Sequence, residues 1–192
     1  FGIHDPIEAV QILAARKLEE IDIGEVGGRH FVGSVTVGES LEPEPTARLG
    51  RRIKDLPAYL GSLKSRSTFE VSLSLDGAVH PRVPALLVEI ANSRVGTGEF
   101  ELGFSDPQDH RLDVIVVSRV RASRVLRQFP DYLSGRVGAI DEFSLLRAAT
   151  VELSSQESLP VMIDGEPAGS TPIVARTAPH SISVIVGRDR KF

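Results

Sequence analysis

A chain of 192 residues, 41% of them hydrophobic, can bury a substantial core and suits one large domain or one and a half small ones. Its net charge of -4 gives no overall case for nucleic-acid binding, and the lack of cysteine excludes disulfides and thiolate metal sites. No apolar run approaches the roughly 20 residues of a membrane span, and no signal peptide is visible, so a reducing cytoplasm is the expected setting.

The chain opens on Phe1 rather than Met and leads at once into a helix start, so it reads as cut from something longer. Asp5 can cap, Pro6 fits the first helical position, and Glu8 completes a capping box. Ile7, Val10, Leu13, Ala14 and Leu18 then line one face, which predicts a packing helix ending near Glu19. Ile21 and Ile23 alternate with acids, and Phe31, Val35 and Val37 follow a turn at Gly27-Gly28. A Glu- and Pro-rich loop covers residues 38–46. A second helix is expected from Thr46 to Ser62, on the spacing of Leu49, Ile53, Leu56 and Leu60, with Pro57 kinking it.

From Thr68 the pattern is mostly β. Phe69, Val71, Leu73 and Leu75 alternate up to an Asp76-Gly77 turn, and the more continuous apolar run from Pro84 to Ala91 predicts one buried strand. Further alternation marks Phe100 to Phe104, Leu112 to Val116, Ala149 to Leu153, Leu159 to Ile163 and Ser181 to Val186. A short helix is expected from Arg121 to Phe129, stopped by Pro130. Many short strands with few helices predict a mainly β fold, a sandwich or an open barrel. No internal repeat or low-complexity segment is present.

Val161-Met162-Ile163-Asp164-Gly165-Glu166 runs an apolar strand into a turn carrying two carboxylates. Such a carboxylate can take a proton from a hydroxyl or help to hold a metal. The same Asp-Gly pair is also the commonest short hairpin signal. In the loop Asp106-Pro107-Gln108-Asp109-His110-Arg111, Asp109 and nearby carbonyls can bind a hard cation such as Mg²⁺, or form a plain polar loop. His4, His30, His80, His110 and His180 are scattered without metal-ligand spacing and read as surface or turn residues. Arg121, Arg124 and Arg127 share a helix face, with Arg119 and Arg136 nearby; the stripe suits anionic lipid or phosphate, or is a solvated face. Arg48, Arg51, Arg52 and Lys54 form a second, equally ambiguous basic group. There is no Gly-x-Ser-x-Gly elbow, Walker loop or dinucleotide fingerprint, and Gly96-Thr97-Gly98 reads as a tight turn.

In their order along nearly the whole chain, these segments resemble the C-terminal part of the bacterial diacylglycerol kinase-like lipid kinases, relatives of the sphingosine and ceramide kinases. The resemblance rests on the opening Phe-Gly-Ile helix with Ile21-Asp22-Ile23-Gly24, the Arg52–Lys64 segment with Leu56, Ala58 and Tyr59, and Asn92 followed by Gly96 and Gly98. It continues through Asp109 with Leu112-Asp113, then Val161 to Glu166, then Pro172 and Pro179. His110 and Arg111 depart from the family, which usually has Gly and an apolar residue there. The resemblance implies a two-domain enzyme whose smaller nucleotide-binding half, with its Gly-Gly-Asp-Gly-Thr loop for ATP, is absent here. Residues 1–20 would trail from that half and residues 21–192 would form the β-rich lipid-kinase domain, sandwich-like in fold.

By the same resemblance Glu166 matches the general base for a lipid hydroxyl, flanked by Asp164. Asp109 matches the ligand of a structural Mg²⁺, with carbonyls of Asp106 and Arg111 beside it. The implied function is the lipid-binding, base-supplying half of a kinase that uses ATP and Mg²⁺ to phosphorylate a diacylglycerol- or sphingoid-like hydroxyl. The fragment alone is expected to be inactive. Its expected partners are the lipid, its own nucleotide-binding domain and an anionic membrane surface, met peripherally from the cytoplasm through Arg121, Arg124 and Arg127. Two other readings are a non-enzymatic lipid- or partner-binding sandwich module and an NAD kinase relative.

Overall fold

The computed structural model describes residues 6–38, 67–93, 106–118 and 143–186. The helix expected at 46–62, the strand at 100–104, the turn at 96–98 and the arginine helix at 121–129 lie outside them. Among the described residues one helix, α1 (Pro6–Ala15), precedes thirteen strands: β1 (Leu18–Val26), β2 (Arg29–Phe31), β3 (Ser34–Val37), β4 (Phe69–Leu75), β5 (Ala78–Val79), β6 (Val83–Ala85), β7 (Leu87–Ala91), β8 (Leu112–Val117), β9 (Phe143–Ala148), β10 (Thr150–Ser155), β11 (Pro160–Ile163), β12 (Glu166–Ser170) and β13 (Ile173–Ile185). They form two antiparallel sheets. The first runs β2-β1-β13-β10-β4-β5, with β6 also on β4, and the second runs β12-β11-β3-β7-β8-β9.

Alternation decides which side chains meet between the sheets. Val71, Leu73 and Leu75 of β4 and Val151 and Leu153 of β10 face Val35 and Val37 of β3, Val88 and Ile90 of β7, and Val161 and Ile163 of β11. Strand β8 is buried at every position, so both faces of the second sheet are covered there. The architecture is therefore a β-sandwich, the first of the two forms that the strand spacing allows and the one that the resemblance implies.

Three tight hairpins set the register. Gly27-Gly28, Asp76-Gly77 and Asp164-Gly165 each place two residues at positive φ, between 48° and 83°. The flanking residues pair directly: Val26 with Arg29, Leu75 with Ala78, and Ile163 with Glu166. Two consecutive left-handed residues give a turn whose twist matches the flanking strands. Near the middle of β1, Gly24 lies opposite Phe31, whose ring packs on the glycine where a Cβ would stand.

Several expectations need correction. The first helix ends at Ala15 and β1 already begins at Leu18. The apolar face read as packing is turned outward: Ile7, Val10 and Leu13 are 75%, 66% and 57% exposed, whereas Ile12 is buried. The run from Pro84 to Ala91 is two strands. β6 pairs with β4 in the first sheet and β7 joins the second, with the chain changing sheets at Leu86, whose N–H donates to the Val117 carbonyl at 2.7 Å. Sequence periodicity cannot distinguish one buried strand from two meeting at a corner. β9 and β12 were not expected, and β13 starts at Ile173, well before Ser181. β13 carries a bulge, since Asp22 of β1 lies opposite Ser181 but Gly24 lies opposite Thr177. Pro179 sits within that bulge, where a missing N–H costs no ladder bond. No helix among the described residues is long and apolar enough to cross a membrane.

Candidate active site

The hairpin β11–β12 presents Glu166 at an edge of the second sheet. Its side chain is 79% exposed, with Oε2 3.6 Å from Nη2 of Arg29. Arg29 also donates from Nη1 to the Pro167 carbonyl at 3.3 Å, so the guanidinium bridges β2 to the start of β12. Asp164, two residues earlier, is used differently. Its Oδ1 accepts the N–H groups of Gly33 and Ser34, both at 2.9 Å, and its Oδ2 accepts that of Val32 at 3.0 Å. Its own N–H donates to the Ser34 carbonyl at 2.9 Å. The carboxylate thus nails the β2–β3 corner to the turn that displays Glu166.

Asp76, in the other Asp-Gly hairpin, does something similar: its Oδ1 accepts the N–H groups of Ala149 and Thr150 at 2.9 and 2.8 Å. In both hairpins the Asp carboxylate reaches backbone far away in the chain, more than 70 residues from its own turn. The two acids nominated together therefore separate by geometry: Asp164 is engaged with backbone, and Glu166 is held out on an anchored turn.

The β2–β3 corner is gripped from a second side by Asn92, at the end of β7 and fully buried. Its N–H donates to the Gly33 carbonyl at 2.9 Å, and its Nδ2 donates to the carbonyls of Val32 at 3.2 Å and Asp22 at 2.8 Å. Among the described residues its Oδ1 accepts nothing. Asp22, itself buried, then holds the 106–111 loop. Its Oδ2 accepts the His110 N–H at 2.7 Å, its Oδ1 lies 2.8 Å from His110 Nδ1, and its N–H donates to the Pro107 carbonyl at 2.6 Å. Gln108 Nε2 donates to the Glu20 carbonyl at 2.7 Å, and Thr177 Oγ1 donates to the His110 carbonyl at 3.2 Å.

His110 has φ 56°, the left-handed conformation that favours Gly. The imidazole contact with Asp22 offsets that strain. Asp109 was expected to hold Mg²⁺. Its Oδ1 accepts the Arg111 N–H at 2.9 Å, while its Oδ2 faces Nη1 of Arg147 at 3.7 Å. The Asp106 carbonyl is directed at the Asp109 N–H, at 3.4 Å, and Asp106 Oδ1 accepts the Gln108 N–H at 3.1 Å. Among the described residues no group of three or more His, Cys, Asp or Glu side chains converges as metal ligands. A guanidinium thus stands beside the carboxylate that was expected to hold Mg²⁺.

Other groups were not anticipated. His30 and His180, far apart in sequence, meet edge to face at 5.2 Å between ring centroids. Beside them Arg176 hydrogen-bonds Glu25 at 2.9 Å and holds its carboxyl below the usual range. Glu89 lies on the outer face of the second sheet, where burial pushes its carboxyl above the usual range despite a hydrogen bond with Ser34. An acid inside the apolar run 84–91 was the visible signal for Glu89. Asp22 carried a signal of the same kind, standing between Ile21 and Ile23, which are buried with it. Arg121, Arg124 and Arg127 lie outside the described residues.

Residues 46–186 match the family described as the YegS C-terminal NAD kinase beta sandwich-like domain. A protein named as a YegS-like lipid kinase in Chromohalobacter salexigens is 25% identical over 173 residues, which is 85% of this chain and 54% of the relative. A diacylglycerol kinase of Mycobacterium tuberculosis is 26% identical over 197 residues, covering 96% of this chain and 63% of the relative. A solved diacylglycerol kinase structure from Bacillus anthracis shares the fold with a TM-score of 0.72 at 23% identity, over 97% of this chain and 63% of that one. An NAD kinase from Archaeoglobus fulgidus, solved with ATP, shares it at a TM-score of 0.55 and 11% identity, over 96% and 61%. The chain thus spans between about half and two thirds of the length of these relatives. With more than half of its residues matched, the chain belongs to the YegS C-terminal NAD kinase beta sandwich-like domain family.

Proposed function

We propose that this chain is the acceptor-binding, base-supplying part of an ATP-dependent lipid kinase acting on a diacylglycerol- or sphingoid-like hydroxyl. The reading is supported by the names of the sequence relatives, both kinases of lipids or diacylglycerol. The observation that carries it is the presentation of Glu166: an exposed carboxylate on a two-residue turn whose other acid is fixed by three backbone N–H groups. A general base must be held still while its carboxylate stays accessible, and this hairpin meets both needs. Arg29 limits the directions the carboxylate can take.

In the proposed reaction Glu166 accepts the proton of the lipid hydroxyl. The freed oxygen bonds the γ-phosphorus of ATP as the bond to the ADP oxygen breaks. Catalysis of this kind is mainly positioning and charge neutralisation, which ATP-bound Mg²⁺ supplies. The sandwich holds the acceptor, and a nucleotide-binding domain outside residues 1–192 brings the donor, so this chain alone is proposed to be inactive. Arg121, Arg124 and Arg127 are proposed to meet the anionic surface from which the lipid is drawn.

The test uses the full-length protein containing this chain, assayed with ATP, Mg²⁺ and mixed micelles of diacylglycerol. Glu166→Gln should lower kcat by about 10²–10⁴-fold, the usual worth of a general base, with little change in the KM for ATP. Wild-type turnover by Glu166→Gln would refute the base assignment.

A further inference from the structure

We propose that the guanidinium of Arg147 supplies the counter-charge of the 106–111 loop in this chain, at the place where the resemblance to lipid kinases implies a structural Mg²⁺. Arg147 on β9 lies directly opposite Asp113 on β8, and its Nε donates to Asp113 Oδ1 at 2.6 Å. Anchored there, it extends Nη1 to within 3.7 Å of Asp109 Oδ2. One cation thus faces the acid of the loop and the acid of the strand that follows it. Such a forked, permanently charged group suits two carboxylates better than a lysine would.

Several oxygens of the loop already accept hydrogen bonds. Asp109 Oδ1 takes the Arg111 N–H, the Asp106 carbonyl points at the Asp109 N–H, and the carbonyls of Pro107 and His110 take the Asp22 N–H and Thr177 Oγ1. Ca²⁺ needs about six to eight oxygen ligands and Mg²⁺ a near-ideal octahedron, so either would have to displace the arginine and several hydrogen bonds. His110 completes the arrangement. Through its N–H and its ring it ties the loop to buried Asp22 of the first sheet, while Arg147 ties it to the second. The loop is thereby fastened to both sheets, to the first also by the main-chain bond from Asp22 to Pro107. This inference does not rest on the kinase reading, since a metal-independent loop is compatible with either outcome at Glu166.

The test is thermal unfolding of the chain in EDTA and in millimolar Mg²⁺ or Ca²⁺, with Mn²⁺ binding followed by electron paramagnetic resonance. The wild type should show the same Tm in all three solutions and no site-bound Mn²⁺. Arg147→Met should lower Tm, and added divalent ion should restore part of the loss by occupying the vacated position beside Asp109. If Arg147→Met does not fold, Asp109→Asn serves instead, and its Tm should fall equally in EDTA and in Mg²⁺. The proposal is overturned if the wild type gains Tm with Mg²⁺ or Ca²⁺ and Asp109→Asn abolishes that gain. It is equally overturned if Arg147→Met melts like the wild type.

Discussion

Replacing Asp164 by Asn tests whether the carboxylate is an anchor, because the two substituents differ only in charge and in one acceptor. The native side chain uses both oxygens: Oδ1 serves Gly33 and Ser34, and Oδ2 serves Val32. An asparagine carbonyl can still serve Gly33 and Ser34, but its NH₂ would then face the Val32 N–H, donor against donor. Asn tolerates positive φ, so the turn conformation itself adds little cost. Losing one charge-assisted bond at a largely exposed position, with weakening of two others, should cost about 1–2 kcal/mol. Asp164→Ala adds left-handed strain and leaves the partly buried Ser34 N–H without its side-chain acceptor, for about 2–4 kcal/mol. Asp76 is the internal control. It uses a single oxygen for both of its N–H partners, so Asp76→Asn can keep both bonds and should cost about 0.5 kcal/mol or less. Equilibrium unfolding in urea gives the three values. Amide exchange should accelerate at Val32, Gly33 and Ser34 in Asp164→Asn and not in Asp76→Asn. Equal stability losses for the two Asn variants, or a neutral Asp164→Asn, would refute the anchor.

Gly24→Ala should destabilise the chain by about 1–3 kcal/mol in the same unfolding assay, because the new methyl meets the buried Phe31 ring, which has no room to swing away. Glu89→Gln should flatten the pH dependence of stability. Burial raises the folded-state pKa of Glu89 above its ordinary value, so its contribution is full below that ordinary value and is lost as pH rises through the folded pKa. At neutral pH the Gln variant should therefore be the more stable in urea, and an unchanged pH profile would contradict this. Replacing Ile7, Val10 and Leu13 of α1 by Gln should change the stability of this chain by no more than about 0.5 kcal/mol per site, since all three are exposed. An unfolding free energy that falls by several kcal/mol in the triple variant would contradict this.

What was legible in the sequence followed local rules. The alternation at Phe69 to Leu75 and the three turn dipeptides were each sufficient, because pleat period and left-handed φ are properties of a few adjacent residues. What escaped depended on partners distant in the chain. β12 has the sequence Glu166-Pro167-Ala168-Gly169-Ser170, which carries no strand signal and is a strand because it pairs back onto β11. The outward face of α1 obeys helical period, but period says only that a face exists, not what covers it. At the site, Asp164 and Glu166 were found as a pair from the Asp-Gly-Glu turn, yet their separate uses depend on a corner some 130 residues earlier. The meeting of His30 with His180 depends on β2 and β13 flanking β1, an order that no local pattern announces.

One connected set of hydrogen bonds runs between the two places that the sequence singled out. From Asp164 it passes to the Val32–Ser34 backbone, then through Asn92 to the Asp22 carbonyl, and through the Asp22 carboxylate to His110 and the 106–111 loop. Buried members of such a network are costly to leave half-satisfied, so they are made together or not at all. Asn92 is the member on which both halves depend, because its Nδ2 bonds the Val32 and Asp22 carbonyls at once. A hydrophobic residue there would leave those two carbonyls without the amide, whereas the amide joins the edge hairpin to the opposite sheet. On this reasoning the rigidity of the Glu166 turn is not local to its hairpin. It is inherited from a polar seam that crosses the sandwich, and the 106–111 loop is the far end of that seam rather than a separate feature.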